Sequence, residues 1–227
     1  MKDQILLPEA GYYKANLHCH TTLSDGEFTP EQIKAAYQEQ GYSIVAFTDH
    51  RRYENHTQLN DEGFLALAAL EVDLTEEPAP GRDWPVRKCY HLNLLDTDPS
   101  VHAAEKQASP LPACAYGDLE DLNRYIQEMN DLGFLVCYNH PYWSLQDWRD
   151  YSGLKGLFAM EIYNHGCEHD GLYGFNPQST TRCSAAASGC LPWPPTTTTT
   201  ACPWAIPSTT PSAGLCRSPP GSSATPL

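Results

Sequence analysis

The chain has 227 residues, 28 of them acidic against 14 basic, for a formal net charge of −14. That length fits one domain, or one domain with an appendage, and is enough to bury a sizeable core. So acidic a balance disfavours a non-specific electrostatic hold on nucleic acid or anionic membrane, which needs a Lys/Arg-rich surface, and points to a small partner.

No run reaches the ~20 apolar residues of a bilayer span. The opening "MKDQILLPEAGYY" has too short an apolar centre for a signal peptide, so a cytoplasmic protein without membrane contact is expected. Nine cysteines show no paired spacing in a chain that is not small. They read as reduced, buried small hydrophobes rather than a disulfide framework.

Strand candidates and helical stretches alternate through residues 1–176. The first, "NLHCH" (16–20), sends His18 and His20 to one side and Cys19 to the other, because side chains alternate along a strand. Asp25 and Gly26 follow in a loop; Asp25 reads either as a turn cap ahead of the glycine or as a metal ligand. "TPEQIKAAYQEQG" is a helix with Thr29 as N-cap, Pro30 in the first turn and Gly41 closing it. "YSIVAFTDH" ends on Asp49, expected to orient a ligand from behind and so support catalysis, and on His50, expected to ligate. Arg51 and Arg52 come next, either reaching a substrate phosphate or simply solvated.

In "FLALAALEVDL" a carboxylate, Glu71, terminates an apolar run, where burial is costly unless it meets a cation. "KCYHLNLLD" places His91 in a strand, as a ligand or as a satisfied core histidine. "DLEDLNRYIQEMNDLG" is a second helix ending at Gly133. "GFLVCYNHP" brings His140, which Pro141 should restrict to extended geometry. "LFAMEIYNHG" adds Glu161 and His165 as supporting polar groups, and His56, His102 and His169 read as solvated. The alternation predicts an α/β layer or barrel, with function at the carboxyl ends of its strands. Histidine and carboxylate suit Zn, Mn and Fe, and so many converging donors predict a polynuclear site.

After "GLYGFNP" the composition breaks. Residues 177–227 contain no acidic residue and are dominated by Pro, Thr, Ser, Ala and Gly, so a disordered tail is expected there.

Four ordered motifs, "HCHTTLSDG", "TDH", "LEV" and "NHP", resemble those of the PHP (polymerase and histidinol phosphatase) family of metal-dependent phosphoesterases. The resemblance covers roughly residues 12 to 175. It implies a distorted, TIM-like seven-stranded (βα) barrel with a trinuclear cluster of Mn, Fe or Zn. His18, His20 and Glu71 would hold one ion, Glu71 would bridge to a second held by His91 and His140, and Asp25 and His50 would hold the third. The family completes its cluster from a late D-x-H strand end, which this sequence lacks.

That absence coincides with the composition break, and "TTTTT" (196–200) suggests a cause. Every Thr codon begins with AC, so reading one base earlier produces codons ending in AC, which encode only Asp, Asn, His or Tyr. With permissible third bases, the tail from Ser179 onward then yields an amphipathic helix, a hydrophobic strand and "DDNH". A frameshift is therefore expected to have left the barrel incomplete at its C-terminal end, with an open edge; a genuine Thr/Pro-rich linker is the other reading.

The resemblance implies hydrolysis of a phosphomonoester or phosphodiester by in-line attack of metal-bound hydroxide. His140 or a nearby protonated side chain would deliver a proton to the leaving group, and the partner would be a small phosphorylated substrate rather than nucleic acid. The alternative is a catalytically impaired metal-binding remnant lacking the final ligands. Amide or ester hydrolysis of the amidohydrolase type ranks third.

Overall fold

Short apolar runs bounded by turn residues become strands, and the polar stretches with a 3.6-residue apolar period become the helices between them. The computed structural model describes residues 13–78, 87–176 and 205–208. β1 (Ala15–Asn16), β2 (Ile44–Phe47), β3 (Leu65–Thr75), β4 (Cys89–Asp96), β5 (Phe134–Tyr138) and β6 (Ala159–Asn164) lie side by side in chain order. They form a curled half-barrel, and no pairing among the described residues closes it. Ala205–Ser208, as β7, pairs with β6 in parallel; the rest of the expected disordered tail, 177–227, lies outside the described residues. No helix among the described residues is long and apolar enough to cross a membrane.

The helices carry the caps their sequences predict. In α1 (Pro30–Glu39) the Thr29 hydroxyl accepts from the Gln32 backbone and the Gln32 side chain accepts from the Thr29 N–H, a reciprocal capping box. Gly41 follows at φ +76°, a left-handed turn that glycine adopts without penalty. Asp118 caps α3 (Leu119–Asp131), and Gly133 at φ +90° releases the chain into β5. Three shorter α-helices complete the set among the described residues: α2 (Ala103–Gln107), α4 (Trp148–Tyr151) and α5 (His165–Gly171).

β4 departs from the expected strand–helix alternation. It runs antiparallel to both β3 and β5, while the pairs β1–β2, β2–β3 and β5–β6 are parallel. The link between β3 and β4 contains Pro78, Pro80 and Pro85, which disfavour a crossover helix, whereas an antiparallel neighbour needs none. The reversal sets the beginning of β4, with His91, beside the carboxyl ends of the neighbouring strands. "NLHCH" also differs: regular pairing stops at Asn16. Its continuation is held along β2 by Cys19 N–H donating to Thr48 Oγ1 and Thr48 N–H donating to the Cys19 carbonyl.

Register decides which side chains share a face. Glu71 pairs with Asn93, Asp73 with His91, Asn93 with Cys137, and Cys137 with Ala159. Paired residues point the same way and alternate residues share a face, so Glu71, Asp73, His91, Asn93 and Glu161 all stand on one side of the sheet. Lower on that side Ala46, Ala69 and Leu95 form a small apolar plug with Leu17, Leu67 and Leu135. The opposite side carries Leu70, Val72, Leu92, Leu94, Val136 and Tyr138, buried against Leu122, Tyr125, Ile126 and Met129 of α3. Each such side chain contributes about 1.5–3 kcal/mol by leaving water. α1 seals the first strands with Ile33 and Tyr37 against Val45, Phe47 and Cys19.

The end of β4 is closed by a buried ion pair. Lys106 Nζ donates to Asp96 Oδ1 at 2.6 Å and to the Asp98 carbonyl at 2.8 Å, and Tyr53 Oη donates to Asp96 Oδ2 at 2.5 Å.

Candidate metal centre

The polar half of the concave face is organised around Glu71, which is 1% exposed. Its backbone bridges His50 in the neighbouring strand, so both side chains sit on one level. Oε1 of Glu71 lies 3.1 Å from His91 Nδ1 and 3.4 Å from the Nε2 atoms of both His18 and His140. Oε2 lies 3.2 Å from His20 Nε2 and 3.1 Å from His50 Nδ1. One carboxylate therefore faces five imidazoles. His18 and His20 do emerge together, their Nε2 atoms 3.1 Å apart, while Cys19 is fully buried among the apolar residues behind them.

The loop carrying Asp25 is shaped by Asp49. Asp49 Oδ1 accepts from Thr21 N–H at 2.8 Å and Ser24 Oγ at 2.7 Å, and Oδ2 accepts from Thr21 Oγ1 at 2.9 Å. Gly26 lets the loop fold back, because a Cβ there would stand 2.4 Å from the His20 carbonyl oxygen. Asp25 Oδ1 is thereby set 2.7 Å from His20 Nδ1, and Oδ2 3.6 Å from His50 Nε2.

On the far side Glu161 Oε1 lies 3.1 Å from His18 Nδ1, while Oε2 accepts from the His140 backbone N–H at 3.1 Å. Asn164 Nδ2 donates to both oxygens of Glu161 at 3.2 Å. His140 is not extended, contrary to the expectation set by Pro141: its φ is +22°. The cause is tethering. Glu161 holds its N–H, Ser144 Oγ lies 3.2 Å from its Nδ1, and the Trp143 ring stands edge-on 5.2 Å away. Such anchoring maintains a backbone conformation that costs on the order of 1–3 kcal/mol.

The charges follow this geometry. Burial opposes a charge on His18, yet Glu161 and Glu71 outweigh it and push the imidazole up to about 10. His91 is likewise pushed up to about 10 against burial, by Glu71 and Cys89. Burial holds His50 and His140 below the ordinary histidine range, reinforced by His20 for the first and His91 for the second. Glu71 lies well below the carboxylate range despite its burial, because His18 and His91 flank it.

Two sets of donors converge within 4.8 Å, His18 with Glu71 and His140, and His20 with His50 and Glu71. This grouping pairs His140 with His18, and His20 with His50, differently from the assignment the sequence resemblance implies. The residues fit divalent metal. Glu71 Oε2 and Asp25 Oδ2 are buried without a hydrogen-bond partner among the described residues, and imidazole with carboxylate is the donor chemistry of Zn, Mn and Fe.

Several residues lie apart from the cluster. Arg51, at φ +53°, is exposed and grips Asp73 through two 2.6 Å bonds, and Arg52 is exposed beside Glu54. His165 contacts Tyr163 and His169 instead. His102 and His169 are exposed as expected, but His56 is not solvated: it is 3% exposed and packs on Phe47, because the turn after β2 folds it inward. The sequence reading missed Asn139, whose Nδ2 donates to Glu71 Oε1 at 2.8 Å, and also Asn164 and Trp143. The two asparagines adjoin His140 and His165 in the motifs already singled out; Trp143 carried no such signal.

The PHP domain family profile matches residues 16–173, well over half of the chain. A 51-residue stretch is 43% identical to DNA polymerase/3′-5′ exonuclease PolX of Bacillus subtilis, covering 22% of this chain and 9% of that one. Similar solved structures include a two-domain protein of Bacteroides vulgatus containing a predicted PHP-like metal-dependent phosphoesterase, at 21% identity and TM-score 0.42, covering 68% of this chain and 45% of the other. A candidate metal-dependent phosphoesterase of Bifidobacterium adolescentis is 17% identical at TM-score 0.42, over 68% of this chain and 79% of the other. The chain thus spans less than half the length of the polymerase and of the Bacteroides protein. With the family profile spanning β1 to α5, and the histidines and carboxylates of that span gathered around Glu71, the chain belongs to the PHP domain family.

Proposed function

We propose that this chain hydrolyses a small phosphate ester, a monoester or diester, at a centre of up to three Mn, Fe or Zn ions. The observation that carries the reading is Glu71, a buried carboxylate with each oxygen facing its own set of imidazoles. His18, His20, Asp25, His50, Glu71, His91 and His140 would hold the ions. When bound, divalent ions supply Lewis-acid activation of water and neutralise charge on the phosphoryl group.

The chain's own side chains do the rest. Asp49 positions the loop that presents Asp25, and Glu161 fixes the aim of His18 and the backbone of His140. His140 is the candidate to pass a proton to the leaving group. Arg51, steadied by Asp73 beside the His50 turn, offers a planar guanidinium to a phosphate oxygen, with Arg52 next to it. Trp143 walls the site beside His91 and His140. The sheet reads as part of a distorted seven-stranded barrel of the PHP type, and the chain as cytoplasmic.

The missing D-x-H favours a second reading, the catalytically impaired remnant. Metal analysis with a phosphatase assay separates the two. Near three equivalents of metal with turnover of p-nitrophenyl phosphate supports the enzyme; one equivalent or none, without turnover, supports the remnant. The polymerase resemblance gives a further arm, a single-stranded oligonucleotide. The net charge of −14 favours the small ester, and faster hydrolysis of the oligonucleotide would reverse that choice. Resequencing the gene tests the frameshift, which an intact frame in independent reads would remove.

A further inference from the structure

Helix α5 carries a second imidazole pair outside the Glu71 cluster. His165 and His169 are four residues apart, so one helical turn brings their side chains to the same face. Their Nε2 atoms lie 3.0 Å apart, with ring planes near perpendicular at 89°. Nδ1 of His165 lies 3.0 Å from Tyr163 Oη, at the end of β6. His169 is exposed and His165 half-buried, so the pair is open to solvent.

These contacts have the form of a ligating pair. A phenol oxygen accepting from His165 Nδ1–H leaves the lone pair on Nε2 and locks the ring, which is how an outer partner orients a metal-binding imidazole. Two nitrogens each ~2.0–2.1 Å from one tetrahedral ion stand about 3.3 Å apart, close to the separation already present without an ion. The neighbouring carboxylates have other partners: Glu168 Oε2 accepts from Gly174 N–H, and Asp170 Oδ2 accepts from Trp143 Nε1. An all-imidazole pair selects borderline ions such as Zn, Ni and Cu over Mg or Ca. The overall negative charge draws cations to the surface.

We propose that His165 and His169, oriented by Tyr163, form a peripheral site for one transition-metal ion whose remaining positions are filled by water. The site stands apart from the reading of the Glu71 cluster, since none of its three residues contributes to that cluster.

Isothermal titration of the full chain with Ni²⁺, after saturation with Mn²⁺, tests it. The expected result is one more equivalent bound by the parent chain than by H165Q/H169Q, with the Mn²⁺ uptake and circular dichroism of the two unchanged. H169A, a single change on an exposed side chain, should lose the same equivalent. Y163F should keep it but bind roughly tenfold more weakly. Equal Ni²⁺ uptake by the parent chain and both histidine variants overturns the proposal and leaves the pair as a hydrogen-bonded relay from Tyr163. Because the readout is a difference in stoichiometry, failure of the phosphoesterase reading would leave this result untouched.

Discussion

Strand β4 carries a buried charged cluster at each end, and the two are built on opposite terms. At its finish, one carboxylate, Asp96, meets one ammonium, Lys106, and the phenol of Tyr53; both oxygens are filled, and Lys106 also reaches a backbone carbonyl. At its start, His91 joins four other imidazoles around Glu71, with Asp25 and Glu161 behind them, and two carboxylate oxygens still accept no hydrogen bond among the described residues. A closed cluster has nothing left to offer a ligand and serves to hold the chain together. An open one is costly until a cation arrives, which is why burial alone does not mark a site while unsatisfied carboxylates converging with several imidazoles do.

Removing the shared carboxylate breaks that contrast most severely. E71Q leaves the volume almost unchanged but takes away the one group common to both donor sets. Phosphatase activity should fall roughly a thousandfold or more, since metal stabilisation of developing charge is worth several kcal/mol. The parent chain should also be stabilised by Mn²⁺, by about 2.7 kcal/mol at a hundredfold excess over Kd, and E71Q should not. A melting temperature for E71Q that still rises with Mn²⁺ would show that Glu71 is not the hub.

The closed cluster should respond in the opposite way. K106M strands a buried carboxylate and should cost about 3–5 kcal/mol. That corresponds to roughly 6–20 °C in Tm for a domain of this size, with metal uptake by the folded fraction retained. The triple variant K106M/D96L/Y53F, leaving no charge unpaired, should regain much of the loss. If K106M instead abolished metal binding while keeping its Tm, the division between the two ends of β4 would be wrong.

How much of this was legible in advance depended on the kind of signal. His18 and His20 could be placed together because strand alternation is local, and Glu71 stood out because an apolar run ending in a carboxylate demands a partner. The reversal of β4 was not legible, since it follows from which strand lies next to which. Asp96 and Lys106 are ten residues apart, and nothing in either segment announces that a left-handed turn at His102, φ +53°, brings them together. Asn139 and Trp143 do not titrate and so escape any search for charged patterns. The φ of His140 is imposed by Glu161 from another strand, against the preference that Pro141 sets locally.

A smaller effect sharpens the role of the residues behind the open cluster. Asp49 spends both oxygens on Thr21 and Ser24, so D49N should keep the fold yet loosen the loop that presents Asp25. Metal affinity should weaken roughly 10–100-fold, as is usual when a group supporting a ligand is altered. A direct measurement of Mn²⁺ affinity at fixed pH checks it, and an unchanged value would reduce Asp49 to a turn former.

The finest test uses His56, which is buried like the members of both clusters but partnered like neither. Its two ring nitrogens have no hydrogen-bond partner among the described residues, and burial, only partly offset by Asp49 and Glu54, holds its pKa below the ordinary histidine value. The unfolded chain takes up a proton near pH ~6.5 where the folded one resists, so stability on account of His56 is complete above that pH and declines as pH falls below it. His18 and His91 act with the opposite sign in the metal-free chain. Their folded values are pushed up to about 10, so their contribution is complete below ~6.5 and is lost as pH rises towards 10. H56F should therefore make the acid limb of the urea-midpoint profile shallower, His50 and His140 supplying the rest of it, while leaving the alkaline limb intact, and saturating metal should flatten the alkaline limb, because bound imidazoles no longer titrate. Parallel acid limbs in the parent chain and H56F would mean that the buried ring is not the group responding to acid.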